Sequence, residues 1–133
     1  MSNERIQVAA GLIEQDRRFL VARRKAGVHL GGLWEFPGGK REFHESLEEC
    51  LRRELREELG IAITPPVLFT ALRHVYPDKT VELHFFLCTV ESGTPQALDC
   101  AELRWATPEE LPALDFPEAD RSVIELLRRR ERP

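Results

Sequence analysis

The stretch GGKREFHESLEECLRRELREELGI, residues 38–61, constrains this chain more than any other. It packs seven acidic side chains, four arginines and a lysine into 24 positions. Ser46 followed three residues later by Glu49 has the form of a capping box, and Gly60 suits the left-handed residue beyond a last helical turn. Between these signals Leu47, Cys50, Leu51, Leu55 and Leu59 recur every three or four residues. The spacing predicts a helix over Leu47–Leu59 with one apolar face.

The flanking sequence supplies what that face can pack on. Residues 6–13 (IQVAAGLI) and 18–23 (RFLVAR) are short apolar runs around a polar EQD turn, and predict a hairpin. Residues 28–40 (VHLGGLWEFPGGK) are rich in glycine and predict a loop, a short strand ended by Pro37, and a loop. Residues 67–75, a YPDK turn and residues 80–91 predict a second hairpin, and residues 102–106 a further strand. Thr107 is placed to cap a short helical turn with Pro108 at its first position. A last helix is expected over residues 118–130, with Val123, Ile124 and Leu127 inward. Strands and helices in this order imply a mixed sheet with helices on its faces.

The composition narrows the possible functions. A net charge of −4 argues against unassisted binding to a nucleic-acid backbone. No apolar run approaches the roughly 20 residues that span a bilayer, and the first residues lack a signal-peptide core. Cys50, Cys88 and Cys100 are odd in number and have no metal-ligand spacing, so free thiols in a reducing cytoplasm are expected.

The polar face of the predicted helix carries Glu54, Glu57 and Glu58 at i, i+3 and i+4, on one patch. Each like pair at that spacing costs roughly 0.2–0.5 kcal/mol. Arg52, Arg53 and Arg56 offset the repulsion only in part. Hard oxygen donors without Cys or His suit Mg²⁺ or Mn²⁺. From these residues alone two readings stand: a metal site and a solvated surface helix.

The spacing bears on that choice. Gly39, five residues, Glu45, seven residues, Arg53-Glu54-Leu55, one residue, Glu57-Glu58, one residue, Gly60-Ile61 resembles the Nudix box at each of its nine fixed positions. GLWEFPGGK, YPDK and LDFPEAD extend the resemblance, over nearly the whole chain, to the MutT-like branch of the Nudix hydrolases. The resemblance implies an α+β fold, an α/β/α sandwich with a mixed sheet and flanking helices, in one domain over residues 1–133. It also implies Mg²⁺-dependent hydrolysis (Mn²⁺ substituting) of oxidised or non-standard nucleoside triphosphates such as 8-oxo-dGTP. The products are the monophosphate and pyrophosphate, and the role is nucleotide-pool sanitation. Other Nudix substrates remain as alternatives: modified CTP or dCTP, nucleotide sugars and dinucleoside polyphosphates. A non-catalytic nucleotide sensor is a third, but such modules usually lose box glutamates. The implied partner is a nucleotide rather than a nucleic-acid polymer or a membrane, for a monomer or homodimer in the cytoplasm.

The same resemblance assigns residues. Metal ligands are Glu54, Glu57, Glu58, the Gly38 carbonyl and Asp99, with Glu102 as the alternative to Asp99. Glu54 or Glu57 accepts a proton from water, Arg53 orients a neighbouring carboxylate, and Glu45 holds the loop. Substrate contacts fall to Arg24 at phosphate, His29, Gly39, Lys40 and Lys79. Phe36 packs against a base or belongs to the core. Asp120 stands where MutT-like enzymes carry an asparagine that reads 8-oxoguanine. Ionised, it accepts from an exocyclic amine; protonated, it donates to O6; otherwise it caps the last helix.

Overall fold

The structure, a computed structural model, describes residues 4–130. The expected domain over residues 1–133 takes in residues 1–3 and 131–133, which lie outside the described residues, as does the start of the N-terminal sequence.

β1 (Glu4–Gln15) and β2 (Arg18–Arg23) form the first hairpin, closed by Asp16 and Arg17 at φ 52° and 65°. Two consecutive positive φ values give the tight turn whose twist matches paired strands. Glu14 and Gln15 therefore stay in the ladder, and the strand is longer than residues 6–13. β3 (Trp34–Glu35) pairs with β2, and β4 (Gly38–Lys40) pairs antiparallel with β1. The loop expected over residues 38–40 is thus a strand. At Gly38 any Cβ would collide with the Ala9 carbonyl, so glycine here permits close strand pairing.

α1 (Leu47–Leu59) has the expected bounds. Ser46 Oγ accepts from the Glu49 N–H at 3.0 Å and Glu49 Oε1 accepts from the Ser46 N–H at 2.7 Å. Gly60 ends the helix at φ 71°. β5 (Ala62–Ile63), β6 (Val67–Val75), β7 (Lys79–Cys88), β8 (Val90–Ser92) and β9 (Glu102–Ala106) follow. The second hairpin stops at Cys88 rather than residue 91, because Thr89 bonds Thr64 and turns the chain into a two-stranded β5–β8 sheet.

Thr107 caps the expected short turn, exchanging the reciprocal bonds of a capping box with Glu110, and the turn does not extend into an α-helix. Pro112 lacks a donor, and the chain makes only a 3-10 turn over Leu111–Ala113. The last helix differs from expectation. Glu118–Asp120 is a 3-10 turn, and α2 spans Arg121–Arg129.

The main sheet has the order β3-β2-β1-β7-β6, with β4 on β1 and β9 on β2. β1 and β7 run parallel and the other pairings are antiparallel, so the sheet is mixed. Adjacent residues point to opposite faces. Ile13, Leu20 and Phe86 meet Cys50, Leu51, Leu55 and Leu59 of α1. Leu12, Phe19 and Phe85 meet Val123, Ile124 and Leu127 of α2. Each fully buried leucine stabilises the fold by roughly 1.5–3 kcal/mol, so the α1 stripe easily outweighs the repulsion on its opposite face. The apolar face fixes where the helix lies, which leaves the acidic face free for chemistry.

Candidate active site

Arg53 stands at the centre of the acidic face. Its guanidinium donates from Nε and Nη2 to the two Glu45 carboxylate oxygens at 2.9 and 2.7 Å. Nη2 also donates to the Lys40 carbonyl at 3.1 Å, and Nη1 to Glu54 Oε1 at 3.0 Å and Glu57 Oε1 at 3.5 Å. This fork, followed by the Glu42 backbone N–H, holds the Glu45 carboxyl down at about 2. Glu45 thus ties the loop before α1 to the helix.

Glu54 lies in a close fit. A Cβ on Gly39 would run into its carboxylate, so that glycine makes room for it. Burial raises the Glu54 carboxyl against the lowering effect of Arg53. Glu58 is more perturbed. Burial first, then Glu54, Glu35 and Asp99, push it up to about 8, opposed by the Gly38 N–H. Its Oε2 is buried without a hydrogen-bond partner. Glu57 is 60% exposed, with Arg53 as its ion-pair partner.

Among the described residues, no three His, Cys, Asp or Glu side chains converge closely enough to hold an ion as they stand. Two opposing pulls account for this. Arg53 draws Glu54 and Glu57 toward itself, and Lys25 draws the largely exposed Asp99 to 3.6 Å. Glu102 points elsewhere, pairing with Arg23 across β2 and β9 at 3.1 Å. The donor set still suits a hard divalent cation. A buried, unpartnered carboxylate oxygen among other carboxylates is a charge excess that such an ion relieves.

Beside this face opens a cavity of about 880 Å³. Ala10, Leu83 and Phe85 give it an apolar lining, and Arg24, His29, Phe36, Gly39 and Lys40 add to its walls. Lys79 and Asp120 also line it. Its size falls in the range of small-molecule sites. Phe36 belongs to the core, edge-on to Phe85 at 6.1 Å and 5.1 Å from Phe116, while also lining the cavity. Lys79 sits 5.6 Å over the Tyr76 ring, a cation–π contact in place of a guanidinium fork. Arg24 donates from Nε to the His29 carbonyl at 2.8 Å and from Nη1 to Glu35 Oε1 at 3.1 Å.

Asp120 is only 9% exposed, and its side chain makes no capping bond to α2. The helix-cap alternative is therefore excluded. Burial, then Glu35, push its carboxyl up to about 6, with Arg121 opposing. Two residues of the site escape a reading of the sequence: Glu35, on a strand too short for any periodicity, and Tyr76, inside a turn motif. For Glu35, the position next to Phe36 in WEFPGGK was the available signal.

A mixed sheet between two helices, one of them a capped acidic helix beside a nucleotide-sized cavity, defines the Nudix architecture. The chain belongs to the NUDIX domain family, whose model matches residues 8–126. It is 35% identical over 127 residues to the 8-oxo-dGTP diphosphatase of Escherichia coli strain K12, covering 95% of this chain and 98% of that protein. It is 40% identical over 118 residues to the CTP pyrophosphohydrolase of the same strain, covering 89% and 86%. The solved MutT NUDIX hydrolase of Burkholderia pseudomallei superposes with a TM-score of 0.82 at 27% identity, covering 92% of this chain and 98% of that one.

Proposed function

We propose that this chain is a Mg²⁺-dependent nucleoside triphosphate pyrophosphohydrolase of MutT type, which clears oxidised or non-standard nucleotides such as 8-oxo-dGTP. The observation that carries this reading is the complete set of box carboxylates on an ordered helix face, next to a nucleotide-sized cavity. Glu54, Glu57, Glu58, Asp99 and the Gly38 carbonyl would hold the cation. A bound Mg²⁺ supplies charge neutralisation at the phosphates and a more acidic attacking water. Arg53 holds Glu54 through Oε1, so that Glu54 Oε2 takes the proton from water. Water oxygen bonds to the β-phosphorus, the bridge to the α-phosphate breaks, and nucleoside monophosphate leaves while pyrophosphate keeps the new oxygen. Arg24 and Lys40 offer positive charge to the phosphate chain, and His29 and Lys79 line the same cavity.

A second substrate reading, CTP or a modified dCTP, draws on Asp120. When ionised it accepts from a cytosine amine, and a relative named for CTP pyrophosphohydrolysis shares 40% identity. The enzyme acts on free nucleotide in the cytoplasm, as a monomer or homodimer. Cys50, Cys88 and Cys100 are free thiols, as suits a reducing compartment. No helix among the described residues is long and apolar enough to cross a membrane. The test is turnover with Mg²⁺ across 8-oxo-dGTP, dGTP, 5-methyl-dCTP, CTP and ADP-ribose. Pyrophosphate release from a triphosphate is expected; orthophosphate release, or no turnover, would contradict the reading.

A further inference from the structure

A second, smaller cleft of about 110 Å³ adjoins the nucleotide-sized cavity. It is lined by Arg24, Lys25, Val28, Glu35, Glu58 and Asp99. Arg24 and Glu35 are the two residues common to both spaces. Their ion pair, 3.1 Å between Nη1 and Oε1, is therefore the partition between the cavity and the acidic cleft. A nucleotide with its base by Asp120 and its phosphates by Glu58 lays its phosphate chain beside this partition.

The loop between β2 and β3 is built around the same arginine. The Arg24 N–H donates to the Leu33 carbonyl at 2.9 Å, the Gly32 N–H donates to the Arg24 carbonyl at 3.0 Å, and Nε takes the His29 carbonyl. With Nε committed to the loop and Nη1 to Glu35, the guanidinium plane is fixed by contacts along two edges. Both partners are about one-third exposed, at 34% and 29% of the side chain, so the pair is reachable by a ligand. An arginine held in this way is pre-oriented for phosphate, because less side-chain freedom is lost when the anion arrives.

We infer that Glu35 is a positioning residue that holds the Arg24 guanidinium at the junction of cavity and cleft, so that Arg24 meets the phosphate chain as it crosses. The inference rests on the triphosphate reading and adds a residue to it. Glu35 acts through Arg24, not as a cation ligand. Loss of Glu35 therefore weakens nucleotide binding much more than cation binding, which it touches only through its charge near Glu58.

The test is a double-mutant cycle with Glu35→Gln, Glu35→Ala and Arg24→Ala, assayed with Mg²⁺ on 8-oxo-dGTP and CTP. Mn²⁺ binding without nucleotide is followed by electron paramagnetic resonance. Glu35→Ala is expected to raise KM by about tenfold, the scale of one charge-assisted contact, with kcat within about twofold. Adding Glu35→Ala to Arg24→Ala should raise KM no further, Glu35→Gln should recover part of the loss, and Mn²⁺ affinity should change far less than KM in all three. Glu35→Gln keeps the size and one acceptor, so it carries the test if the alanine variant does not fold. Additive losses, or Mn²⁺ binding weakened as much as KM is raised, in a protein whose wild type is active would overturn the role given to Glu35 alone. A wild type without turnover on any triphosphate would overturn both this role and the reading beneath it.

Discussion

Glu58→Gln separates what the acidic face costs the fold from what it does for catalysis. Folding carries the Glu58 carboxyl from its ordinary 4.5 up to about 8, mainly by burial and then by Glu54, Glu35 and Asp99. Its proton is bound more tightly in the folded state, so protonation favours the fold. In EDTA this contribution is fully present below about 4.5 and is lost as pH rises through about 8. At about 1.4 kcal/mol per tenfold change in proton affinity, holding the Glu58 proton in the fold while the unfolded chain ionises costs the fold about 3 kcal/mol at pH 7. Screening by the water that still reaches the side chain trims this to about 2 kcal/mol. Glutamine keeps the acceptor for the Gly38 N–H and removes the charge. For a chain of this length Tm should rise by roughly 6 °C at pH 7–8 in EDTA, with little difference from wild type near pH 5. Calorimetry of both proteins between pH 5 and 8, with and without Mn²⁺, measures it. Mn²⁺ should stabilise wild type increasingly as pH rises and stabilise the variant much less, while the variant loses turnover. A variant no more stable than wild type at pH 8 in EDTA, with the same pH slope, would refute the account of Glu58 as a strained charge.

Three other changes probe neighbouring links. Glu54→Gln should lower kcat by roughly 10²–10⁴-fold, as for loss of a proton acceptor, with an unchanged circular dichroism spectrum; an unfolded variant would make Glu54 structural instead. Asp120→Asn should move the kcat/KM ratio of 8-oxo-dGTP to CTP upward by about tenfold, the worth of one hydrogen bond, and an unaltered ranking would show that Asp120 does not read the base. Glu45 is held at about 2 by Arg53, so its contribution is present above the ordinary 4.5 and lost as pH falls toward 2. Thermal melts from pH 6 to pH 3 should then drop more steeply for wild type than for Glu45→Gln, and parallel curves would count against the Glu45–Arg53 fork.

What could be read from the sequence follows the range of the forces involved. α1 was legible to the residue because its cap, its apolar stripe and its terminal glycine all lie within about fifteen positions and act through local geometry. The strand at Gly38–Lys40 was not, since its glycines suggest a loop until Ala9 is seen close beside them. The last helix was placed three residues too early because Pro117 and a 3-10 turn precede it, a detail that apolar spacing does not encode. The site divides along the same line. Glu45, Arg53 and Glu54 are near neighbours on one loop and one helix, and the family resemblance carried by their motif already implies the fork they form. Glu35 is defined by Arg24 eleven residues earlier, by Glu58 on α1 and by Asp99 far along the chain. No local pattern marks such a residue. Only the sheet, by setting β3 beside β2 and opposite the end of α1, makes one side chain the wall between two cavities.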